Sequence, residues 1–209
     1  MLTAQKITPA RFSFEIPFRD AANGIYSAFQ AEVANRGREL NFDSATRKHI
    51  EDAARWLIDP HGKFGLMLIG TTGNGKTTMM RAIARLIAFA TERVLGYSKR
   101  IVPKMVKARA ITRMSITESQ SNEYEELFKT KILCIDELGE EATEVLRYGN
   151  MEVPLIEVLS ERYDRQRMTI ITTNLTEADL RDKYGDRIYD RFREMMEIHV
   201  YVNESYRGD

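Results

Sequence analysis

The almost continuously apolar run Phe64 to Ile69 passes directly into Gly70-Thr71-Thr72-Gly73-Asn74-Gly75-Lys76-Thr77, and a helix-compatible stretch begins at once. No other segment constrains the fold as tightly. Glycines let such a loop curl so that successive backbone N–H groups point inward, at torsions other residues reach only with strain. The run fits G-x-x-x-x-G-K-[ST] completely, with Gly73 as an additional permissive position. It implies a phosphate cradle in which the loop amides and the positive end of the following helix meet phosphate oxygens. Lys76 is expected to reach the β and γ phosphates, and the Thr77 hydroxyl to ligate Mg²⁺. The expected nucleotide-binding residues are Gly70, Thr71, Thr72, Gly73, Asn74, Gly75, Lys76, Thr77 and Thr78, with ATP and Mg²⁺ as cofactors. A glycine-rich turn matching by chance is the bland alternative; a strand before it and a helix after it weigh against that.

The rest of the chain repeats this alternation. Lys131–Asp136, Met168–Thr173 and Ile198–Val202 read as further buried strands, with a weaker one over Val94–Val102. Helical patterns separate them, notably Thr77–Thr91 and Val153–Arg165, which predicts an α/β fold with a parallel sheet covered on both faces. Upstream, Pro9 and Pro17 punctuate an irregular arm over residues 1–18. Ile25, Phe29 and Val33 recur every four residues in a helix over Asp20–Arg36 that Gly37 can end. A second helix starts at a cap on Asp43 or Ser44, buries Ile50, Ala54 and Leu57, and stops before Pro60. At roughly 150 residues per domain, 209 residues make one domain with a small appendage.

Two strand ends carry polar groups. Ile132-Leu133-Cys134-Ile135-Asp136-Glu137 closes on two carboxylates, and in a parallel sheet that end shares an edge with the phosphate loop. Asp136 is placed to hold the Mg²⁺ water shell and Glu137 to orient and deprotonate an attacking water. A solvated Asp-Glu pair opening a surface loop is the competing reading, and the upstream loop favours function. Met168–Thr173 likewise turns polar at Asn174, which either contacts the γ phosphate and lytic water or merely caps a helix beginning near Glu177. Further on, Arg187 and Arg191 stand four apart on one helix face, either ion-paired at the surface or reaching a neighbouring subunit's site. Such a finger is worth about 10³–10⁵ in rate, and Arg191 is the stronger candidate of the two. Arg207, in Ser205-Tyr206-Arg207, is a candidate for contacting phosphate from its own subunit, or else a tail residue.

In order and approximate spacing, Gly70–Thr77, Ile132–Glu137, Thr172–Asn174 and Gly185–Arg193 resemble the AAA+ ATPases, and more narrowly the DnaC/IstB family. The likeness spans about residues 45–207 and includes Ile135-Asp136-Glu137-Leu138-Gly139, Thr172-Thr173-Asn174-Leu175 and Ser205-Tyr206-Arg207. The resemblance implies a three-layer P-loop core with a five-stranded parallel sheet of order 5-1-4-3-2. It also implies ATP-dependent assembly into a ring or spiral, binding to single-stranded DNA, and a replicative DNA helicase (DnaB-like) as partner. Only Asn203–Asp209 follow the last expected strand, so the C-terminal helical lid of most AAA+ proteins is expected to be absent. Residues 1–44 are set apart as an N-terminal arm and helix, a candidate partner-binding segment, from an ATPase core over 45–209. Two rival readings stand beside a helicase loader: an IstB-like transposition helper acting on duplex DNA, and a nucleotide-dependent binding module with negligible turnover. A small-molecule kinase is disfavoured by Glu137 and the arginine helix.

Charge and cysteine usage narrow this further. The chain has 31 Lys+Arg against 31 Asp+Glu, which excludes indiscriminate coating of nucleic acid. The balance is a cancellation: positions 93–113 hold seven cations (Arg93, Lys99, Arg100, Lys104, Lys107, Arg109, Arg113) and no carboxylate, whereas 114–144 hold nine carboxylates and two lysines. With Tyr97 as its only aromatic residue, the basic segment suits contact with a phosphate backbone better than base stacking, or is simply a solvated face. The lone Cys134, expected to face the core, rules out a disulfide framework, and His49, His61 and His199 lack ligand spacing. No apolar run approaches the ~20 residues of a membrane span, so a cytoplasmic location and no membrane contact are expected.

Overall fold

The computed structural model describes residues 14–93, 100–142, 145–147 and 150–206. Helix α1 (Phe18–Ala34) ends in a turn closed by Gly37 at φ 67°, and α2 (Ser44–Ile58) begins where the Asp43 carboxylate accepts the Thr46 N–H at 2.7 Å. Then follow β1 (Gly65–Gly70), α3 (Lys76–Arg93), β2 (Lys104–Lys107), α4 (Ala108–Ile116), α5 (Ser121–Lys129) and β3 (Leu133–Leu138). A hairpin, β4 (Val145–Arg147) and β5 (Asn150–Glu152), precedes α6 (Pro154–Asp164) and β6 (Thr169–Thr173). The chain closes with α7 (Glu177–Tyr184), α8 (Asp186–Met195) and β7 (Met196–Tyr201).

Five strands form one sheet in the order β2-β3-β6-β1-β7, every neighbouring pair parallel. Counted within that sheet alone, this is 5-1-4-3-2, as the resemblance implies. Side chains alternate across it because a strand's period is two. Leu66, Leu68, Cys134 and Ile170 pack on one face with α1, α2 and α3, whereas Met67, Ile69, Ile135 and Ile171 pack on the other with α4, α5, α6 and α8. Burial on both faces accounts for the continuous apolar runs, each Leu or Ile contributing about 1.5–3 kcal/mol relative to exposure. Cys134 is fully buried, and desolvation pushes its thiol up to about 12, so it stays a small core residue.

One strand lies elsewhere than the apolar pattern suggests. The second strand is Lys104–Lys107, and Arg100–Pro103 lead into it outside any element; Val94–Lys99 lie outside the described residues. As an edge strand β2 buries only Val106, so its lysines survive at positions that a central strand would make apolar. Ala21, Ile25 and Phe29 of α1 share a core with α2 and α3, and Gly24 lets α1 approach α3 closely: a Cβ there would stand 2.7 Å from Leu86. Among the described residues no helix follows β7, and no helix is long and apolar enough to cross a membrane.

Candidate nucleotide site

The parallel register brings four strand ends to one edge: Ile69 of β1 opposite Thr173 of β6, Leu138 of β3 opposite the same threonine, and Lys107 of β2 opposite Asp136. Between β1 and α3 the loop turns at Gly73 (φ 89°) and Gly75 (φ 97°), both in the left-handed region. Gly70 is required for another reason. A Cβ there would lie 2.4 Å from Asn74 Nδ2 and 2.5 Å from the Tyr201 carbonyl. Asn74 in turn donates to that carbonyl at 3.1 Å, which ties the loop to β7.

Lys76 sits buried at the centre. Its Nζ donates to the Gly70 and Thr71 carbonyls at 2.7 Å each, and to Asn74 Oδ1 and Asn174 Oδ1 at 3.0 Å each. A buried ammonium persists only where its protons find acceptors, and all of these are neutral oxygens. Held at the centre of the loop, the ammonium is placed to meet an anion there. Asn174 is here a partner of Lys76 and does not cap α7; that cap is Thr176, which exchanges bonds with Asp179 in a reciprocal capping box.

The acidic pair lies alongside. Thr77 Oγ1 donates to Asp136 Oδ1 at 2.8 Å, and Thr172 Oγ1 donates to the same oxygen at 2.6 Å. Strand β3 continues through Leu138, so the carboxylates do not end it; its pairing with β6 instead shifts register between Ile135 and Leu138. Within that bulge Glu137 adopts φ 62°, a left-handed torsion that costs a non-glycine residue about 1–3 kcal/mol. The Thr172 hydroxyl accepts the Glu137 N–H at 3.0 Å and holds the turn, and the Glu137 carboxylate pairs with Lys107 Nζ at 2.8 Å. A hydroxyl and a carboxylate 2.8 Å apart are hard oxygen donors that fit Mg²⁺, which prefers a few protein oxygens together with phosphate and water. Among the described residues no group of three or more His, Cys, Asp or Glu could hold a metal.

These groups open onto a cleft of about 510 Å³ whose opposite wall comes from α1 and its connection to α2: Phe29, Val33, Arg36, Arg38 and Leu40. Tyr206 completes the wall. Its N–H donates to the Gly73 carbonyl at 3.0 Å, and its hydroxyl joins Asp43 (3.0 Å) and Thr46 (3.0 Å). Arg36 and Arg38 escape the sequence reading because no local motif marks them and helix packing sets their proximity to the loop; Thr172, Lys107 and Tyr206 stand in stretches that it singles out, but without a role at this site. Arg207 lies outside the described residues, although Ser205 and Tyr206 beside it line the cleft.

The arginine helix lies apart from this cleft. Arg191 Nη1 donates to Ser160 Oγ at 2.7 Å and its guanidinium lies 5.3 Å from the Tyr163 ring centre, both on α6, while Arg187 is exposed. The basic segment is partly neutralised: Arg100 pairs with Glu92 (3.6 Å), Lys104 with Glu126 (2.5 Å) and Lys107 with Glu137 (2.8 Å). Arg109 and Arg113 are exposed on α4; Lys99 and Tyr97 fall outside the described residues.

Comparison with known proteins agrees with this arrangement. The chain matches the family described as IstB-like ATP binding protein over residues 40–208. No curated protein matches it. Among solved structures it is similar to the DnaC helicase loader, at TM-score 0.59 and 19% identity over 85% of this chain and 98% of that one. It is similar to DnaI at TM-score 0.61 and 19% identity, over 93% and 96% respectively. The replication initiator DnaA bound to AMPPCP and single-stranded DNA aligns at TM-score 0.55 and 16% identity, over 79% of this chain and 49% of that one. At these identities the structures establish the AAA+ P-loop fold, and the family match establishes descent: the chain belongs to the IstB-like ATP binding proteins, within the DnaC/IstB group of AAA+ ATPases.

Proposed function

We propose that this protein is an ATPase of the helicase-loader type, which binds ATP·Mg²⁺ at Gly70–Thr78 and single-stranded DNA as a ring or spiral, and acts on a replicative helicase in DNA replication. The observation supporting it most directly is the convergence at one sheet edge of the buried Lys76 ammonium, the Thr77–Asp136 oxygen pair and Glu137. In this reading the loop amides and Lys76 hold the phosphates, while Asn174 steadies Lys76 and the terminal phosphate. Thr77 and Asp136 would hold Mg²⁺, which supplies neutralisation of phosphate charge. Glu137 accepts the proton of the attacking water once its carboxylate leaves Lys107. Arg191, ahead of Arg187, reaches a neighbouring subunit's nucleotide, and Arg207 contacts phosphate in its own. Residues 1–44 are the candidate partner-binding segment, and the exposed Arg109 and Arg113 the candidate DNA contacts. The protein works in the cytoplasm. Lys76→Ala is expected to abolish ATP binding, and Glu137→Gln to bind ATP without turnover. Unchanged nucleotide affinity in the first would remove the site assignment.

A second reading is favoured by the family match itself, whose description is IstB-like. It is a transposition helper sharing the ATPase but acting on duplex DNA. Stimulation of turnover by single-stranded DNA, together with ATP-dependent capture of the host's replicative helicase, supports the loader; stimulation by duplex alone supports the helper. A stable ATP complex without measurable hydrolysis under either condition would identify a nucleotide-dependent binding module.

A further inference from the structure

Arg36 and Arg38 straddle the Gly37 turn that ends α1, and both line the nucleotide cleft. Arg36 Nη1 donates to the hydroxyl of Thr78 at 3.0 Å, one residue beyond Thr77 in the first turn of α3. Arg38 Nη1 meets the carbonyl of Tyr206 at 3.5 Å, on the segment that crosses the phosphate loop. A second recess of about 430 Å³ adjoins the acidic pair and brings Arg36, Arg38, Arg81 and Lys107 together with Asp136 and Glu137. Lys107 pairs there with Glu137 and Arg81 stands 4.0 Å from Glu32, so Arg36 and Arg38 add the positive charge that offsets Asp136, whose carboxylate alone would repel a polyphosphate. The arginines are also held in place. Ala21, Ile25 and Phe29 seat α1 in the core shared with α3, so the turn at 36–38 is delivered to the loop by a packed helix.

We infer that Arg36 and Arg38 are phosphate ligands for a nucleoside di- or triphosphate, supplied by the N-terminal segment, so that nucleotide occupancy and the seating of α1 form one equilibrium. This rests on the reading of Gly70–Thr78 as the nucleotide site. Guanidinium groups suit the task because their planar forks pair with phosphate oxygens and stay charged at any working pH. The bond to Thr78 shows that Arg36 reaches the first turn of α3. A ligand bridging α1 and α3 in this way tightens the attachment of the N-terminal segment by its differential affinity for the seated form.

Calorimetric titration of the full chain with ATP, ADP and adenosine tests this. The double variant Arg36→Met, Arg38→Met, which keeps the apolar stems, is expected to lose about tenfold or more in affinity for ATP and ADP, as for loss of charge-assisted bonds, and less than about twofold for adenosine. Arg36→Lys, Arg38→Lys restores part of that loss. Amide exchange within α1 slows on ATP addition in the wild type and much less in the Met variant. ATP affinity within twofold of wild type in the Met variant, while Lys76→Met abolishes binding, overturns the arginine assignment alone. Equal losses for ATP and adenosine overturn it too, since they mean a deformed cleft. Failure of the wild-type chain to bind ATP or ADP removes the nucleotide site itself, and this inference with it.

Discussion

Glu137 illustrates how one residue carries conflicting demands. It holds a left-handed torsion, its N–H is satisfied by Thr172, and its carboxylate is engaged by Lys107. While Lys107 holds it, the Glu137 carboxylate is occupied by the ammonium, so Lys107→Met is expected to free it for water and raise basal ATP turnover several-fold. A fall in turnover would mean that the lysine positions Glu137 for catalysis. His49 makes a separate prediction. Its ring stacks on Tyr201 at 3.7 Å and its Nε2 meets Asn203 Oδ1 at 3.2 Å; burial lowers its pKa below the ordinary 6.5. The unfolded chain therefore takes up the proton first as pH falls, so stability is full above pH ~6.5 and declines below it, by at most about 1.4 kcal/mol per pH unit. Thermal unfolding at pH 7.5 and 5.5 should show that decline, and His49→Gln should flatten it; an equal slope in the variant assigns the effect to other groups.

At the scale of elements, the joint between α5, α6 and β6 depends on Arg162, which is completely buried. Its guanidinium donates to the carbonyls of Leu127 and Thr130 (2.9 Å each) and Met168 (2.6 Å), and to Thr169 Oγ1 (2.9 Å). Desolvation pulls its pKa down to about 9, yet the ordered carbonyls keep it charged near neutrality. The Leu127 and Thr130 carbonyls lie at the end of α5, where a helix leaves acceptors without intrahelical partners, whereas the Met168 carbonyl at the start of β6 also accepts the Leu133 N–H at 3.1 Å. Arg162→Leu is expected to lower stability by roughly 3 kcal/mol or more, and Arg162→Lys to recover little, because a point charge cannot span four acceptors. A lowered urea midpoint at constant m-value would report it; a loss under about 1 kcal/mol would show the joint to be dispensable. Nothing in the local pattern of Leu159–Tyr163 marks Arg162 as anything but a surface residue. The apolar runs of β1, β3, β6 and β7, by contrast, were legible to within a residue or two; the edge strand β2, with one buried position, was not, and neither was the β4–β5 hairpin.

For the whole molecule, Arg191 raises the question of assembly. It rests on Ser160 and Tyr163 of its own α6, away from its own cleft, so any contact with nucleotide has to cross to another subunit. Mixtures of Arg191→Ala with Lys76→Ala chains are then expected to regain part of the ATPase activity that each lacks alone; no recovery at any ratio would argue against a trans role. Charge shows the same dependence on scale. The basic and acidic segments that cancel along the chain also meet in space, through Lys104–Glu126 and Lys107–Glu137. The sequence by itself determined the strand–loop–helix at Gly70–Thr77, the acidic pair Asp136-Glu137 carried by an apolar strand and the polar stretch at Asn174, because each is written in a few consecutive residues whose torsions and periodicity are local. Only the tertiary structure decided that Asn174 serves Lys76 across 98 positions, that Tyr206 closes onto Asp43 and Thr46, and that Arg36 reaches Thr78. Those contacts follow from which helices cover which face of the sheet, a property of the packed core that no short stretch of chain contains.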